Sequence, residues 1–313
     1  MSSLISANDT AVTSVTADDL STEKRRQQRA VVLGFIAVAS FAMTLPATKV
    51  LAGQLSPLAI TVLRIIIASL VAVPLLWLGR APLPSRRQWW LISHVLICNN
   101  IGFPVLIAVG MNYLPVSHGA LTIALLPLAT ASCAALINGM HPPHPKFWGY
   151  ACSGAAIVLG YNLWQSGAND LYWGDLALIG AVILCGCGYS QGALLSQKMP
   201  GWQVSCWSNA LGLPLALGCW WVMEPSVWLQ SLSALDAGSW CALLYVGLVS
   251  SLLGFFAWNR ALAEGGVARI SQIQLLQPFF TYGYAMVLFD EPWQWMTGLV
   301  AASVLALLWL ARR

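Results

Sequence analysis

Charge is scarce in this 313-residue chain: 15 Lys and Arg and 11 Asp and Glu make up only 8% of it. A soluble domain carries about 25% charged residues, and so few cannot solvate the surface of a 33.7 kDa globule. A soluble enzyme, a disordered protein and a nucleic-acid binder are thereby excluded. No GxxxxGK[ST] loop is present, so this chain does not itself hydrolyse ATP. No Ser-His-Asp or HExxH arrangement suggests catalysis, and the chain is expected to be neither an enzyme nor the holder of a cofactor or metal. Cys185 and Cys187 form a CxC with no second pair and no nearby His, which is not a metal-ligand spacing. All eight cysteines fall in apolar stretches, where a thiol is expected to act as a small hydrophobe.

What is abundant is apolar. Hydrophobic residues make up 58% and the mean hydropathy is +0.71. A membrane-crossing helix needs about 20 apolar residues, and ten such stretches can be marked: about 30–49, 57–79, 89–111, 116–137, 147–164, 174–195, 202–222, 239–262, 268–289 and 293–310. Several of the 16 tryptophans stand at their ends, as an interfacial aromatic belt requires. Turn chemistry separates them, for instance Gln54-Leu55-Ser56-Pro57 and Met199-Pro200-Gly201. Residues 1–29 are polar and end in the basic run Lys24, Arg25, Arg26, Arg29, which reads as a disordered cytoplasmic tail. The fold class expected is an all-α integral membrane protein.

The basic residues then set the topology. With ten spans and both termini cytoplasmic, thirteen of fifteen Lys and Arg fall inside, among them Arg80, Arg86, Arg87, Lys146, Lys198, Arg260 and Arg269. The outer connections hold Asp170, Asp175, Glu224, Asp236, Asp290 and Glu291. A 151-residue shift lays Leu125-Leu126-Pro127-Leu128 over Leu276-Gln277-Pro278-Phe279, each block following an apolar helix, a short polar link and the start of another helix. Five spans per copy is odd, so the second copy enters the membrane in the opposite sense. Two inverted five-helix repeats follow, at 30–164 and 174–310, a plan that holds substrate between the halves near the midplane.

Several segments resemble the drug/metabolite transporter superfamily, in particular its ten-helix EamA-type members. Leu55-Ser56-Pro57-Leu58-Ala59 with Arg64 heading an aliphatic helix is similar to the family's second helix, and Gly174-Asp175-Leu176-Ala177-Leu178 to the opening of its sixth. The run from Leu244 through Gly247, Trp258, Gly265 and Pro278 to Glu291-Pro292 and Gly298 resembles the end of its second repeat. The first repeat departs from the pattern at Asn138-Gly139-Met140-His141-Pro142-Pro143-His144-Pro145, where an acidic residue is expected. The resemblance implies transport of a small organic solute across a bacterial inner membrane, with export common. Import, or a non-transporting role as a membrane assembly factor, are the alternatives. The partners implied are a small-molecule substrate and the lipid bilayer, with the protein a monomer or a homodimer.

Polar side chains at bilayer depth are expensive unless they pair or line a wet cavity. Gln274, Gln277, Thr281 and Tyr284 recur at spacings of three, four and three, one helix face with Pro278 loosening it. They either line a cavity or join helices by hydrogen bonds. Asn99 and Asn100 offer the same chemistry in span three, though neighbours on a helix point about 100° apart, so only one should face a cavity fully. His118 in span four is read either as a cavity group able to change charge near neutral pH or as a structural residue. Arg64, about 10 Å below the outer surface by helical rise, attracts an anion at the cavity mouth or bonds to backbone carbonyls. Trp258 stacks on a planar substrate or packs. His141 and His144, three apart in a proline-rich loop, read as a turn rather than a metal site. No Asp or Glu falls at a span centre, which argues against a carboxylate proton relay. Amino acids and their derivatives suit the amide-rich lining.

Overall fold

A computed structural model describes residues 17–138, 145–165, 173–222, 228, 230, 232–265, 270 and 273–311. Every element in that set is helical; the one β feature is an isolated bridge between Ala52 and Leu55. Six stretches are long and apolar enough to cross a membrane: Lys24–Leu51, Pro57–Leu78, Arg86–Tyr113, Val116–Ile137, Trp173–Ser196 and Ala237–Leu262. The outside of the bundle is aliphatic and aromatic, with Leu70, Trp77, Trp221, Val222 and Val287 largely exposed. Such a surface suits hydrocarbon, not water.

The helices, in chain order, are α1 (Ala17–Ala42), α2 (Thr44–Leu51), α3 (Pro57–Leu78), α4 (Arg86–Val95), α5 (Phe103–Tyr113), α6 (Val116–Ile123), α7 (Leu126–Asn138), α8 (Pro145–Gln165), α9 (Trp173–Ser196), α10 (Gly201–Val222), α11 (Ala237–Leu244), α12 (Gly254–Gly265), α13 (Gln277–Phe289) and α14 (Trp295–Ala311). Sequence explains their boundaries. Ser56 accepts the Ala59 amide at 3.2 Å and Pro57 takes the first position of α3, where a missing N–H does no harm. Ser85 and Gln88 close a capping box on α4. Asp236 caps α11 through the Ser239 amide at 2.8 Å, and Ser239 holds the Asp236 carboxyl below the usual carboxylate range.

The first helix begins at Ala17, ahead of the boundary expected near residue 30, so the basic run lies on α1 and Arg29 pairs with Glu264 at 3.1 Å. Residues 1–16 and the pair His141 and His144 lie outside the described residues.

Two departures from regular helix recur at matching places. A π-helical segment, Leu96–Gly102, joins α4 to α5, and another, Tyr245–Leu253, joins α11 to α12. The same 151-residue shift carries the first into the second. Likewise a turn at Ala124–Leu125 separates α6 from α7, whose second residue is Pro127. A 3-10 turn, Ile273–Leu276, precedes α13, whose second residue is Pro278. In each case the proline lacks the amide that would carry the helix through. Packing follows the same pattern. α1 lies along α12, and its counterpart α9 lies along α4 and α5; α3 pairs with α10 and α8 with α14.

Candidate functional site

The recurrent irregularities meet at the centre of the bundle. Two adjoining pockets there, with about 10 and 20 Å³ of free space, share Arg64, Asn99 and Phe255. Each has room for about one water. Four of the sequence candidates converge on it. Arg64 from α3 is 6% exposed and donates from Nε to Ser251 Oγ at 2.6 Å and from Nη2 to Ser250 Oγ at 3.1 Å. Both serines stand on the second π segment, and Ser250 Oγ is 2.8 Å from Thr44 Oγ1 of α2. Asn99 and Asn100 stand on the first π segment. Both line the site, against the expectation that only one would. The π turn, with i→i+5 bonds instead of i→i+4, changes the angle between neighbours. Asn100 Nδ2 reaches Ser208 Oγ at 3.4 Å. The Asn99 side chain lies directly on Gly188, where any Cβ would collide with it.

Gln277 opens α13 at the break before Pro278 and is 5% exposed. Its Oε1 and the Oδ1 of Asn99 are buried with no hydrogen-bond partner. A buried acceptor left unpaired is unfavourable by about 1–3 kcal/mol. Arg64 is unusual in the same way: among the described residues no carboxylate pairs with it. A buried cation facing only hydroxyls, beside two orphan carbonyl oxygens, has the chemistry of a site short of an anion and of N–H or O–H donors. The remaining wall is aromatic. Phe41 and Phe255 lie 4.9 Å apart between centroids, and Tyr189 meets Phe255 edge-on at 6.0 Å.

The structure sends the other candidates elsewhere. Thr281 donates to the Ala42 carbonyl at 3.0 Å and ties α13 to α1. Tyr284 is half-buried near Tyr245 and lines neither pocket. Gln274 lies on the 3-10 turn with Nε2 buried and unpartnered, also outside both pockets. Trp258 is a packing residue, edge-on to Phe41 at 6.4 Å in the cluster between α1 and α12. His118 belongs to a different place, the end of the bundle where α5 turns into α6.

At that end the ionisable side chains of His118, Asp175, Lys49 and Glu291 each meet a partner. His118 Nε2 and Asp175 Oδ1 are 2.6 Å apart, with side chains 3% and 9% exposed. Asp175, assigned from sequence to an outer connection, is thus buried in the first turn of α9. Lys49 Nζ donates to the carbonyls of Met111 and Leu114 at 2.7 and 2.9 Å, the last acceptors of α5. Glu291 accepts the Val116 and Ser117 amides at 2.9 and 3.0 Å, one on each carboxylate oxygen, at the positive end of α6.

Ser250, Ser251, Thr44, Tyr189 and the phenylalanines were not legible as site residues. Hydroxyls and aromatics are common in apolar helices and carry no signal alone. The one usable hint was the adjacent serine pair 151 residues beyond Asn99-Asn100, since the shift lays Asn99 on Ser250 and Asn100 on Ser251.

Comparison with known proteins agrees with this architecture. The chain matches the EamA-like transporter family twice, over residues 28–161 and again over 172–312. It belongs to that family, within the drug/metabolite transporter superfamily, and is therefore a multi-pass membrane transporter. It is 38% identical over 282 residues to the uncharacterized transporter YdeK of Bacillus subtilis (strain 168), covering 90% of this chain and 96% of that one. A protein of known crystal structure shares the fold at a TM-score of 0.64 and 19% identity, covering 92% of this chain and 99% of the other.

Proposed function

We propose that this transporter exports a small amphipathic metabolite, an amino acid, an amino-acid derivative or a solute of similar build, across the bacterial inner membrane. It crosses the bilayer ten times with both termini cytoplasmic, as two inverted five-helix halves that rock about the central site by alternating access. The observation that carries the reading is the meeting of Arg64, Asn99 and Gln277, from both halves, at one buried place with an unpaired cation and two orphan acceptors. Arg64 takes the carboxylate of the solute, the Asn99 and Gln277 carbonyl oxygens take its N–H donors, and the aromatic wall takes its apolar part. The breaks before Pro127 and Pro278 support a site there, because discontinuous helices in corresponding positions of two halves are where transporters hold substrate. The smallness of the pockets supports alternating access: a metabolite enters only when the halves part.

Export is tested by metabolite profiling of cells and medium for a deletion strain, the wild type and an overexpressor. A carboxylate-bearing solute that accumulates inside the deletion strain and outside the overexpressor is the expected result. The opposite movement makes the protein an importer. Gln277→Ala should lower flux about tenfold, the worth of one hydrogen bond, at unchanged membrane abundance. If flux survives Gln277→Ala, Asn99→Ala and the double change, the wall is misassigned.

A further inference from the structure

The transport reading leaves the cysteines unused, and two of them are not behaving as simple hydrophobes. Cys133 on α7 and Cys187 on α9 stand with their sulfur atoms 2.7 Å apart. A disulfide bond is about 2.05 Å long, so the sulfurs need move by less than an ångström to bond. Their closeness is built into the backbone. Gly186, the residue before Cys187, has no side chain at the point where α9 crosses α7. A Cβ there would stand 2.6 Å from the Ala129 carbonyl carbon and 2.8 Å from the Thr130 nitrogen. Ala129 lies one turn before Cys133 on the same helix. Small residues of this kind let helix backbones meet in a membrane.

A second, independent feature stands beside the pair. A cleft of about 330 Å³ runs along α7 and α9, and Cys133 forms part of its wall. The rest is nearly all aliphatic, including Leu125, Leu128, Leu136, Val182 and Ile183. Leu136 and Ile183 are also exposed on the outer surface, so the cleft opens toward lipid. Among the described residues no three His, Cys, Asp or Glu side chains converge to hold a metal. Thiol–thiol chemistry is what this arrangement offers.

We infer that Cys133 and Cys187 are an oxidation site served from the bilayer: a lipophilic quinone entering the cleft converts the two thiols to a disulfide. The step balances. The sulfur–sulfur bond forms as both S–H bonds break; the pair gives up two electrons and two protons, and the quinone takes them to become the hydroquinone. A dithiol reverses it. The bond joins α7 of the first family repeat to α9 of the second, residues 54 apart in the chain. Its effect on flux rests on the proposed rocking of the halves; its formation does not.

The test uses the full-length protein in liposomes, with decylubiquinone in the membrane or hydrogen peroxide in the water. Thiols are then alkylated and mapped by mass spectrometry. Decylubiquinone is expected to lower the alkylatable thiols from eight to six, with Cys133 linked to Cys187, and dithiothreitol to restore all eight. Cys133→Ser and Cys187→Ala should each abolish the linkage, and Gly186→Val should slow it at least tenfold by parting the helices. Persistence of eight thiols, or a bond between another pair, overturns the site. Peroxide acting as fast as the quinone overturns entry from the cleft. In cells, oxidation should cut export of the profiled solute at least tenfold in the wild type and not in Cys133→Ser. A disulfide that forms fully and leaves flux unchanged keeps the oxidation site and overturns the proposed rocking of the halves that it would cross-link.

Discussion

The central site and the α5–α6 end of the bundle use the same polar vocabulary to opposite effect. At the α5–α6 end, Lys49 meets two helix-terminal carbonyls, Glu291 meets two helix-initial amides, and His118 meets Asp175. Each of these groups has a geometry-matched partner, and paired networks of this kind rigidify. At the centre, Arg64 faces serine hydroxyls while Asn99 and Gln277 each leave a buried oxygen unanswered. Buried polar atoms in native proteins are nearly always paired, so two unpaired oxygens beside Arg64 support the proposed ligand site there, although Trp228 Nε1 and Ser239 Oγ are unpaired elsewhere. The paired end ties helices together; the centre, on the proposed reading, is completed by the solute.

That contrast is breakable by mutation, and the largest effect is expected at the satisfied end. His118→Leu leaves Asp175 buried without its partner, a loss of about 3–5 kcal/mol, read as a lower melting temperature of the detergent-solubilised protein. The double change His118→Leu with Asp175→Leu should recover most of it. A stable His118→Leu protein with no flux would move the pair into the transport site. At the centre the signs reverse. Arg64→Met removes a hydrogen-bonded charge worth about 1.5–3 kcal/mol to a ligand, so flux should fall roughly 10- to 150-fold. Melting temperature should hold or rise, because replacing a buried ion by a well-packed apolar side chain is often neutral or stabilising. If Arg64→Met unfolds the protein instead, Arg64 is a strut like His118 and the contrast collapses.

Smaller effects refine the picture. Glu291→Gln keeps the shape of the side chain but drops its charge and turns one of the two accepting oxygens into an NH2 that cannot receive an amide, a change of about 1–3 kcal/mol, measurable as faster amide exchange at Val116 or Ser117. The smallest effect lies at Asp236, on the protein surface. Its carboxyl is held below the ordinary range by Ser239, so the cap is fully present above the unfolded value near 4. It is lost as pH falls through the lower folded value. Amide exchange at Ser239 should be flat from pH 7 to pH 5 after correction for intrinsic rates, and rise below about pH 4. Asp236→Asn should remove that pH dependence while keeping the cap.

How much of this was visible in the sequence divides along the same line. The helices followed from apolar run length and from Ser-Pro and Pro-Gly punctuation, because in lipid the backbone has no alternative to helix. Arg64, Asn99, Asn100 and Gln277 stood out because polar groups in apolar stretches are conspicuous one at a time. The pairings did not stand out. His118 and Asp175 are 57 residues apart, and Glu291 lies 174 residues from Ser117. Only the folded chain brings such partners together. The π segments were invisible for a different reason: a pattern search that assumes 3.6 residues per turn has no place for an i→i+5 bond. Thr281 and Tyr284 share a face with Gln277 in that pattern, and packing against α1 took Thr281 away from the site.

The carboxylate of Glu291 also has a meaning in time. It closes the start of α6, yet it is synthesised 175 residues after Val116. At about 5–20 residues per second, the ribosome needs roughly 9 to 35 seconds to supply it. Until then the α6 amides of the first half wait beside the growing chain with no carboxylate to receive them. The start of α6 therefore gains this cap only when the chain is nearly complete.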